Sequence, residues 1–251
     1  MTKALVRELP GGLTTEDAND ATLGVLPHTE GRSAYSIRSP GRTPVTLTPV
    51  FPVQTTRATV LFADMRGYSG LAEQLPPAQV LPLLDEFFGV LAGATEAYGG
   101  EVFHLAGDGM MAGFGVRDPG RQAAGQALAA GRAMLQRFSY VSKRWQRECS
   151  IATGIGVGLH LGEVALGLLG PPGKRTVTLV GDTPNVAARL CSRARNGEIL
   201  FSSTVAAALA AADLGPAIGR AAFLLLPQFA LRGRSGLLDI WCVPTAERPK
   251  L

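Results

Sequence analysis

Cysteine is scarce in this 251-residue sequence, and the three cysteines do not form a recognisable set. Cys149, Cys191 and Cys242 lie far apart, without the close spacing of a zinc-ligand group. Their odd number also argues against a disulfide framework. We therefore expect reduced thiols and a cytoplasmic protein.

Long apolar runs are missing as well. The run 223–226 stops at Pro227, far short of the roughly 20 residues that a membrane-spanning helix needs. The first residues lack the basic and apolar regions of a signal peptide. These absences predict that the protein has no membrane partner.

The sequence has only a small excess of positive charge and few histidines. Its formal net charge is +4, and the densest basic cluster is Arg189, Arg193 and Arg195. No stripe of interleaved aromatic and basic residues indicates a nucleic-acid surface, so we expect no nucleic-acid partner. A modest arginine excess suits small anionic molecules. With three histidines, the sequence also does not favour a phosphatase or nuclease, whose metal sites recruit further acids or histidines.

The first 56 residues differ from the rest in their density of proline and glycine. Because these residues interrupt helices and strands, we expect residues 1–56 to form a loosely structured arm. The β-branched run Val45–Val53 could add an edge strand to it. Residues 57–251 then form one domain.

Strand-like and helix-like patterns alternate irregularly after residue 56, which predicts an α+β fold with a mostly antiparallel sheet. Among these elements, Ile151–Leu161 and Val164–Leu168 are predicted as two separate strands. A helix is predicted over Asn185–Arg195, with Thr183 as its N-cap.

Two short stretches place an acid where an apolar, strand-like run ends. Asp64 follows such a run in Leu61–Ser69, and Asp108 occupies a tight turn in Gly107–Met111. Each acid alone is typical of an ordinary turn residue. Together they suggest paired carboxylates that bind a divalent cation.

A third stretch, Gly181–Leu190, opens a helix with a turn. Asn185 and Arg189 are four residues apart, so they share one helical face. An amide and a guanidinium on one face, together with two carboxylates, suit a two-metal reaction on a nucleotide.

These stretches, in this order, resemble the catalytic domain of class III nucleotidyl cyclases. Gly156–Val164 is similar to the central strand of that family, and Leu231–Arg234 is similar to its late basic strand. The resemblance runs from about Thr56 to Val243, roughly three quarters of the chain. It implies a ferredoxin-like α+β core that pairs head to tail as a homodimer. The implied reaction converts a nucleoside triphosphate to a 3′,5′-cyclic monophosphate and pyrophosphate.

The resemblance also implies a role for each polar residue. Asp64 and Asp108 match the ligands of two divalent cations, Mg²⁺ or Mn²⁺, which prefer oxygen donors. Asn185 matches the residue that orients the ribose, and Arg189 the one that stabilises charge on the α-phosphate. The backbone N–H groups after Asp64 could hold phosphate oxygens, as helix starts do.

The late basic strand carries Arg232 and Arg234 where the family typically has lysine. Either guanidinium can bind the triphosphate end of the substrate. Which of the two points inward depends on the strand register.

Base recognition is where the sequence departs from the family pattern. Family members that use ATP typically have lysine four residues before the second metal aspartate, where this sequence has His104. The partner position holds Thr178, as in some adenylate cyclases. Guanylate cyclases tend to have glutamate and cysteine at these places, so GTP is not supported. Of the two positions that recognise the purine in this family, only Thr178 therefore matches an ATP-using enzyme.

Three functions stay open. The first is a pyrimidine cyclase of antiphage signalling, because the chain is compact, lacks a fused sensor and could narrow its base pocket with Tyr68. That enzyme would make cyclic UMP or cyclic CMP from UTP or CTP for a separate effector protein. The second is an adenylate cyclase that makes cyclic AMP. The third is a cyclase-like module that binds nucleotide or pairs with another cyclase without catalysis.

Overall fold

The structure is a computed structural model that describes most of the chain. The described backbone comprises residues 22–25, 35–38, 45–47, 52–212, 223–230 and 237–243, and the described side chains lie in 52–212, 223–227 and 238–243. By its contacts the chain divides into two compact units, Met1–Val53 and Gln54–Leu251.

The first unit contains three short strands that pair as an antiparallel sheet in the order β1-β2-β3. They are β1 (Thr22–Val25), β2 (Tyr35–Arg38) and β3 (Val45–Leu47). The arm expected over residues 1–56 thus contains three short strands. Strand β3 lies at the edge of this sheet and falls within the run Val45–Val53, where an edge strand was expected.

The second unit begins with a βαββαβ core whose first connection contains two helices, α1 and α2. Its elements are β4 (Gln54–Arg66), α1 (Tyr68–Gln74), α2 (Pro77–Ala97), β5 (Gly100–Ala106), β6 (Gly109–Phe114), α3 (Ala123–Cys149) and β7 (Gly154–Leu169). The core strands lie in the order β7-β4-β6-β5, and each neighbouring pair is antiparallel. This is the ferredoxin-like arrangement, so the predicted fold class is confirmed.

The remaining elements extend this sheet beyond β7. They are β8 (Thr176–Val180), α4 (Asp182–Arg193), β9 (Ile199–Ser202), α5 (Ser203–Ala211), β10 (Leu224–Ala230) and β11 (Leu237–Val243). Strand β9 pairs in parallel with β7, and β11 and β10 follow it antiparallel. Strand β8 pairs with the far end of β7. No helix in the described part of the chain is long and apolar enough to cross a membrane.

Alternating residues of β4 contribute their side chains to two hydrophobic cores, one on each face of the sheet. Leu61 and Ala63 contribute to the larger core, which α2, α3 and α5 cover. Ala58 and Val60 contribute to a smaller core on the opposite face, together with Ala187 of α4. The site residues carried by α4 therefore lie on the face of the sheet opposite α2 and α3.

Helix α4 packs unusually close to the sheet. Gly158 of β7 makes this possible, because a Cβ there would overlap the backbone of Ala187 and Cys191. A buried thiol hydrogen bond joins the same elements, since Cys191 Sγ lies 3.2 Å from the carbonyl oxygen of Gly156. The position of α4 is thus set by backbone contact with β7.

Two expectations about this region were wrong. The strands expected over Ile151–Leu161 and Val164–Leu168 form one continuous strand, β7, because β4 pairs with it along its length. Thr183 lies inside α4 and is not its N-cap, which is Gly181. The Thr183 hydroxyl instead donates to the carbonyl oxygen of Glu163 at 2.7 Å, so it ties the helix to β7.

Candidate active site

The two candidate metal ligands lie side by side at one end of the sheet. Asp64 is near the end of β4, directly opposite Gly109 of β6, and Asp108 occupies the turn that leads into β6. The backbone N–H of Met65 donates to the carbonyl oxygen of Asp108 at 3.0 Å. This hydrogen bond holds the two acid-bearing segments together.

The electrostatics of Asp64 reflect this proximity. Burial and the neighbouring Asp108 carboxylate raise the pKa of Asp64 above its usual 3.8, and the Arg66 guanidinium offsets only part of that rise. A carboxylate that is partly buried beside a second acid gains most from a nearby cation. The pair is therefore suited to binding positive charge.

The donor set fits Mg²⁺ or Mn²⁺ when a phosphate ligand is also present. Within the described residues there is no group of three or more histidine, cysteine, aspartate or glutamate side chains that could hold a metal ion. Mg²⁺ is commonly bound by one or two carboxylates together with substrate phosphates and water. Asp64 and Asp108 match that pattern, which is chemically distinct from a closed structural metal site.

Arg66 is the neighbour of Asp64 that sequence reasoning missed. It donates to Asp64 Oδ2 from Nη1, to the carbonyl oxygen of Cys191 from Nη2, and to the carbonyl oxygen of Ala194 from Nε at 2.9 Å. The available signal was the spacing of two residues, since positions i and i+2 of a strand share one face.

A cleft of about 250 Å³ opens beside Asp64. His104 of β5 lines it from the same sheet, and α4 closes it with Ala188, Cys191 and Ser192. Burial raises the pKa of Cys191 to about 12, so its thiol stays protonated and is not a nucleophile. The structure thus brings His104 and Asp64 to one cleft, whereas the sequence had assigned them to different tasks.

The other predicted residues lie elsewhere on the same chain. Asn185 is exposed on α4 and Arg189 is half-buried, and neither lines the cleft beside Asp64. Thr178 is half-buried on β8, opposite Gly167 of β7. Within one chain, therefore, the cleft beside Asp64 is lined by His104 but not by Asp108, Asn185, Arg189 or Thr178.

Tyr68 lies away from the cleft beside Asp64, and its expected role in narrowing the base pocket stays a prediction. It begins α1 and packs against the larger core, on the side of the sheet covered by α2 and α3. It is absent from the residues that line the Asp64 cleft. Helix α1 has only seven residues, and Tyr68 serves to anchor it.

Arg232 and Arg234 lie outside the described residues. Their predicted role at the triphosphate end stays a prediction. His160, by contrast, is buried in the core, where its Nδ1 lies 2.7 Å from the Ser202 hydroxyl.

Comparison with known proteins agrees with this geometry. Residues 51–223 match the family model of the adenylate and guanylate cyclase catalytic domain. An adenylate cyclase from Anabaena cylindrica is 31% identical over 144 residues, which are 54% of this chain and 27% of that protein. The chain thus spans about a quarter of the length of that curated relative.

Solved structures show the same fold. The adenylyl cyclase CyaB from P. aeruginosa superposes with a TM-score of 0.69 at 25% identity, covering 79% of this chain and 98% of that one. The guanylyl cyclase Cya2 superposes with a TM-score of 0.67 at 26% identity, covering 76% and 92%. The chain belongs to the family of class III nucleotidyl cyclase catalytic domains.

Proposed function

We propose that the protein converts a nucleoside triphosphate to its 3′,5′-cyclic monophosphate and pyrophosphate. The proposal rests on one observation: Asp64 and Asp108 lie side by side at the end of the sheet, in a chain that belongs to the cyclase family. Divalent cations held by these carboxylates would lower the pKa of the ribose 3′-hydroxyl and neutralise the leaving pyrophosphate.

We expect the complete site to form in a homodimer. The cleft beside Asp64 is not lined by Asn185 or Arg189 of the same chain. In a head-to-tail pair, Asn185 and Arg189 of the partner subunit would face the acids. The amide then orients the ribose, and the guanidinium stabilises charge on the α-phosphate, a contribution of about 3 kcal/mol for one such donor.

Exposed apolar side chains favour such pairing. Leu168, Leu169, Val177 and Val180 are between 41% and 62% exposed on the β7–β8 hairpin that carries Thr178. Exposed apolar groups concentrated on one hairpin are typical of a protein–protein contact. A second copy of the chain would cover this hairpin and deliver Thr178 to the shared site.

Adenine is the base that the residues now support best. One of the arguments for a pyrimidine rested on Tyr68, which is partly buried and packs against the larger core. Thr178 is compatible with adenine, and a curated relative is named adenylate cyclase. ATP is therefore our first candidate for the substrate.

A pyrimidine substrate is the second candidate, because His104 replaces the lysine expected of an ATP-using enzyme. His104 is exposed at the Asp64 cleft, and a neutral imidazole can donate or accept a hydrogen bond according to its tautomer. A role in antiphage signalling, with an effector that reads cyclic UMP or cyclic CMP, depends on this second candidate.

A product assay tests the proposal. The purified protein is incubated with ATP, GTP, CTP or UTP and Mn²⁺, and cyclic monophosphates are identified by mass. We expect cyclic AMP, whereas cyclic UMP or CMP would establish the pyrimidine alternative. No product from any of the four, with nucleotide binding retained, would contradict catalysis and indicate a binding module.

A further inference from the structure

The guanidinium of Arg66 links the Asp64 carboxylate to the C-terminal end of α4, the helix that carries Arg189. One end of it pairs with Asp64 Oδ2, and the rest donates to the carbonyl oxygens of Cys191 and Ala194. These carbonyls lie at the C-terminal end of α4, where the carbonyl oxygen of Cys191 also accepts from the backbone N–H of Ala194 at 3.0 Å. A cation there is also favoured by the helix dipole.

The sheet leaves space for this side chain. Gly156 of β7 lies directly opposite Asp64. A Cβ at Gly156 would overlap the Arg66 guanidinium and would lie 2.8 Å from the carbonyl oxygen of Ala194. The absence of a side chain at Gly156 is therefore what allows Arg66 to reach α4.

The bridge leaves the two oxygens of Asp64 in different surroundings. Oδ2 is held by Arg66, while Oδ1 lies against Gly109 on the neighbouring strand. A planar guanidinium that donates in several directions holds its acceptors in a defined geometry. Asp64 is thus presented with one oxygen engaged and one oxygen available.

The other end of the Arg66 guanidinium contacts α4, the helix that carries Arg189. Cys191, whose carbonyl oxygen accepts from Arg66, is two residues after Arg189 on α4. Movement of Arg66 would therefore displace both the Asp64 carboxylate and the last turn of α4.

We propose that Arg66 is a positioning residue that holds Asp64 for one-oxygen cation binding and ties it to α4. The inference rests on the metal role of Asp64 in the proposed function. A divalent cation at Asp64 must bind beside the positive charge of Arg66. Arg66 consequently weakens cation binding while it keeps the carboxylate and α4 in the reactive geometry.

The decisive variant is Arg66→Gln. Because a positive charge beside the carboxylate is removed, we expect Mn²⁺ to bind about fivefold more tightly. Because Asp64 and α4 lose their common anchor, we expect kcat to fall about thirtyfold while KM for the nucleotide changes little. Tighter cation binding with slower turnover is a combination that simple destabilisation does not produce.

Arg66→Lys separates charge from geometry. Lysine keeps the positive charge but cannot donate to Asp64 and both α4 carbonyls at once. We expect its Mn²⁺ affinity within about twofold of the wild type and its kcat between those of the wild type and Arg66→Gln. Arg117→Gln is the matched control, since it removes an arginine from the exposed ion pair with Glu101.

Mn²⁺ binding is measured on the full chain without nucleotide, from the electron paramagnetic resonance signal of the free ion. Equal affinity in the wild type and Arg66→Gln, including no detectable binding to either, overturns the proposal, and so does a wild-type kcat in Arg66→Gln. If the wild type forms no cyclic nucleotide, the proposed function fails, yet the two Mn²⁺ affinities still decide the role of Arg66.

Discussion

Gly109 lies directly across from Asp64 on the neighbouring strand, and a Cβ at Gly109 would be 3.3 Å from Asp64 Oδ1. That distance is shorter than an ordinary van der Waals contact, so the carboxylate would have to shift by a few tenths of an ångström. The residue opposite a candidate metal ligand thus controls where its free oxygen lies.

Gly109→Ala should therefore impair turnover more than folding. We expect kcat to fall about tenfold because the carboxylate is displaced, with the free energy of unfolding changed by less than about 1 kcal/mol. Steady-state kinetics and thermal unfolding measure the two effects. Gly89→Ala is the control, since no atom lies within 4 Å of a Cβ there, and it should keep wild-type kcat.

Mixing two inactive variants tests whether the site is shared between subunits. Asp64→Asn and Arg189→Ala should each lack activity alone. In a mixed dimer, one of the two sites keeps every polar residue. Random exchange should therefore restore about a quarter of the wild-type rate, because about half of the dimers are mixed.

The control mixture combines Asp64→Asn with Asp108→Asn. Both acids come from the same chain in each site, so no mixed dimer contains an intact site. Recovery of activity in this mixture, or none in the first, would contradict the head-to-tail arrangement. Sedimentation analysis verifies that each variant still forms dimers.

His104→Lys should change the preference for the base. Lysine offers only donors, and the cyclase resemblance associates lysine at this position with ATP. We expect the ratio of kcat/KM for ATP to that for UTP or CTP to rise about tenfold. Competition assays with paired nucleotides give this ratio directly. An unchanged ratio would show that His104 does not contact the base.

The Glu86 carboxylate links α2 to α3, which gives stability a defined pH dependence. It accepts hydrogen bonds from Arg144 and from the Trp145 indole, the latter at 3.0 Å. Burial opposes ionisation, but these hydrogen bonds and the Arg144 charge outweigh it, so the pKa of Glu86 lies below its usual 4.5. Its stabilising effect is therefore present above that usual value and is lost as the pH falls through the lowered pKa.

Glu86→Gln should lower stability at pH 7 by about 1 kcal/mol, a value kept small because both partners are partly exposed to solvent. The difference in unfolding temperature between the wild type and the variant should shrink as the pH falls below the usual 4.5 and disappear once the pH is below the lowered pKa of Glu86. Thermal unfolding between pH 3 and 7 tests this. A difference that stayed constant with pH would exclude the ionised Glu86 as its source.

Local sequence patterns determined the main strands and turns of this protein and the positions of its candidate metal ligands. The family resemblance implied the ferredoxin-like core, whereas strand periodicity followed by an acid predicted the positions of Asp64 and Asp108, and turn preferences predicted the hairpin around Asp108. These features depend on residues close in sequence, where strand and turn preferences act directly.

Tertiary structure decided the rest, because it depends on which residues meet across the sheet. The left-handed turn at Gly67 precedes α1, whose partly buried Tyr68 packs against the larger core, which strand alternation alone could not show. Pairing with β4 makes β7 one continuous strand. Arg66 reaches the end of α4 only because Gly156 leaves it room, a contact between residues more than a hundred positions apart.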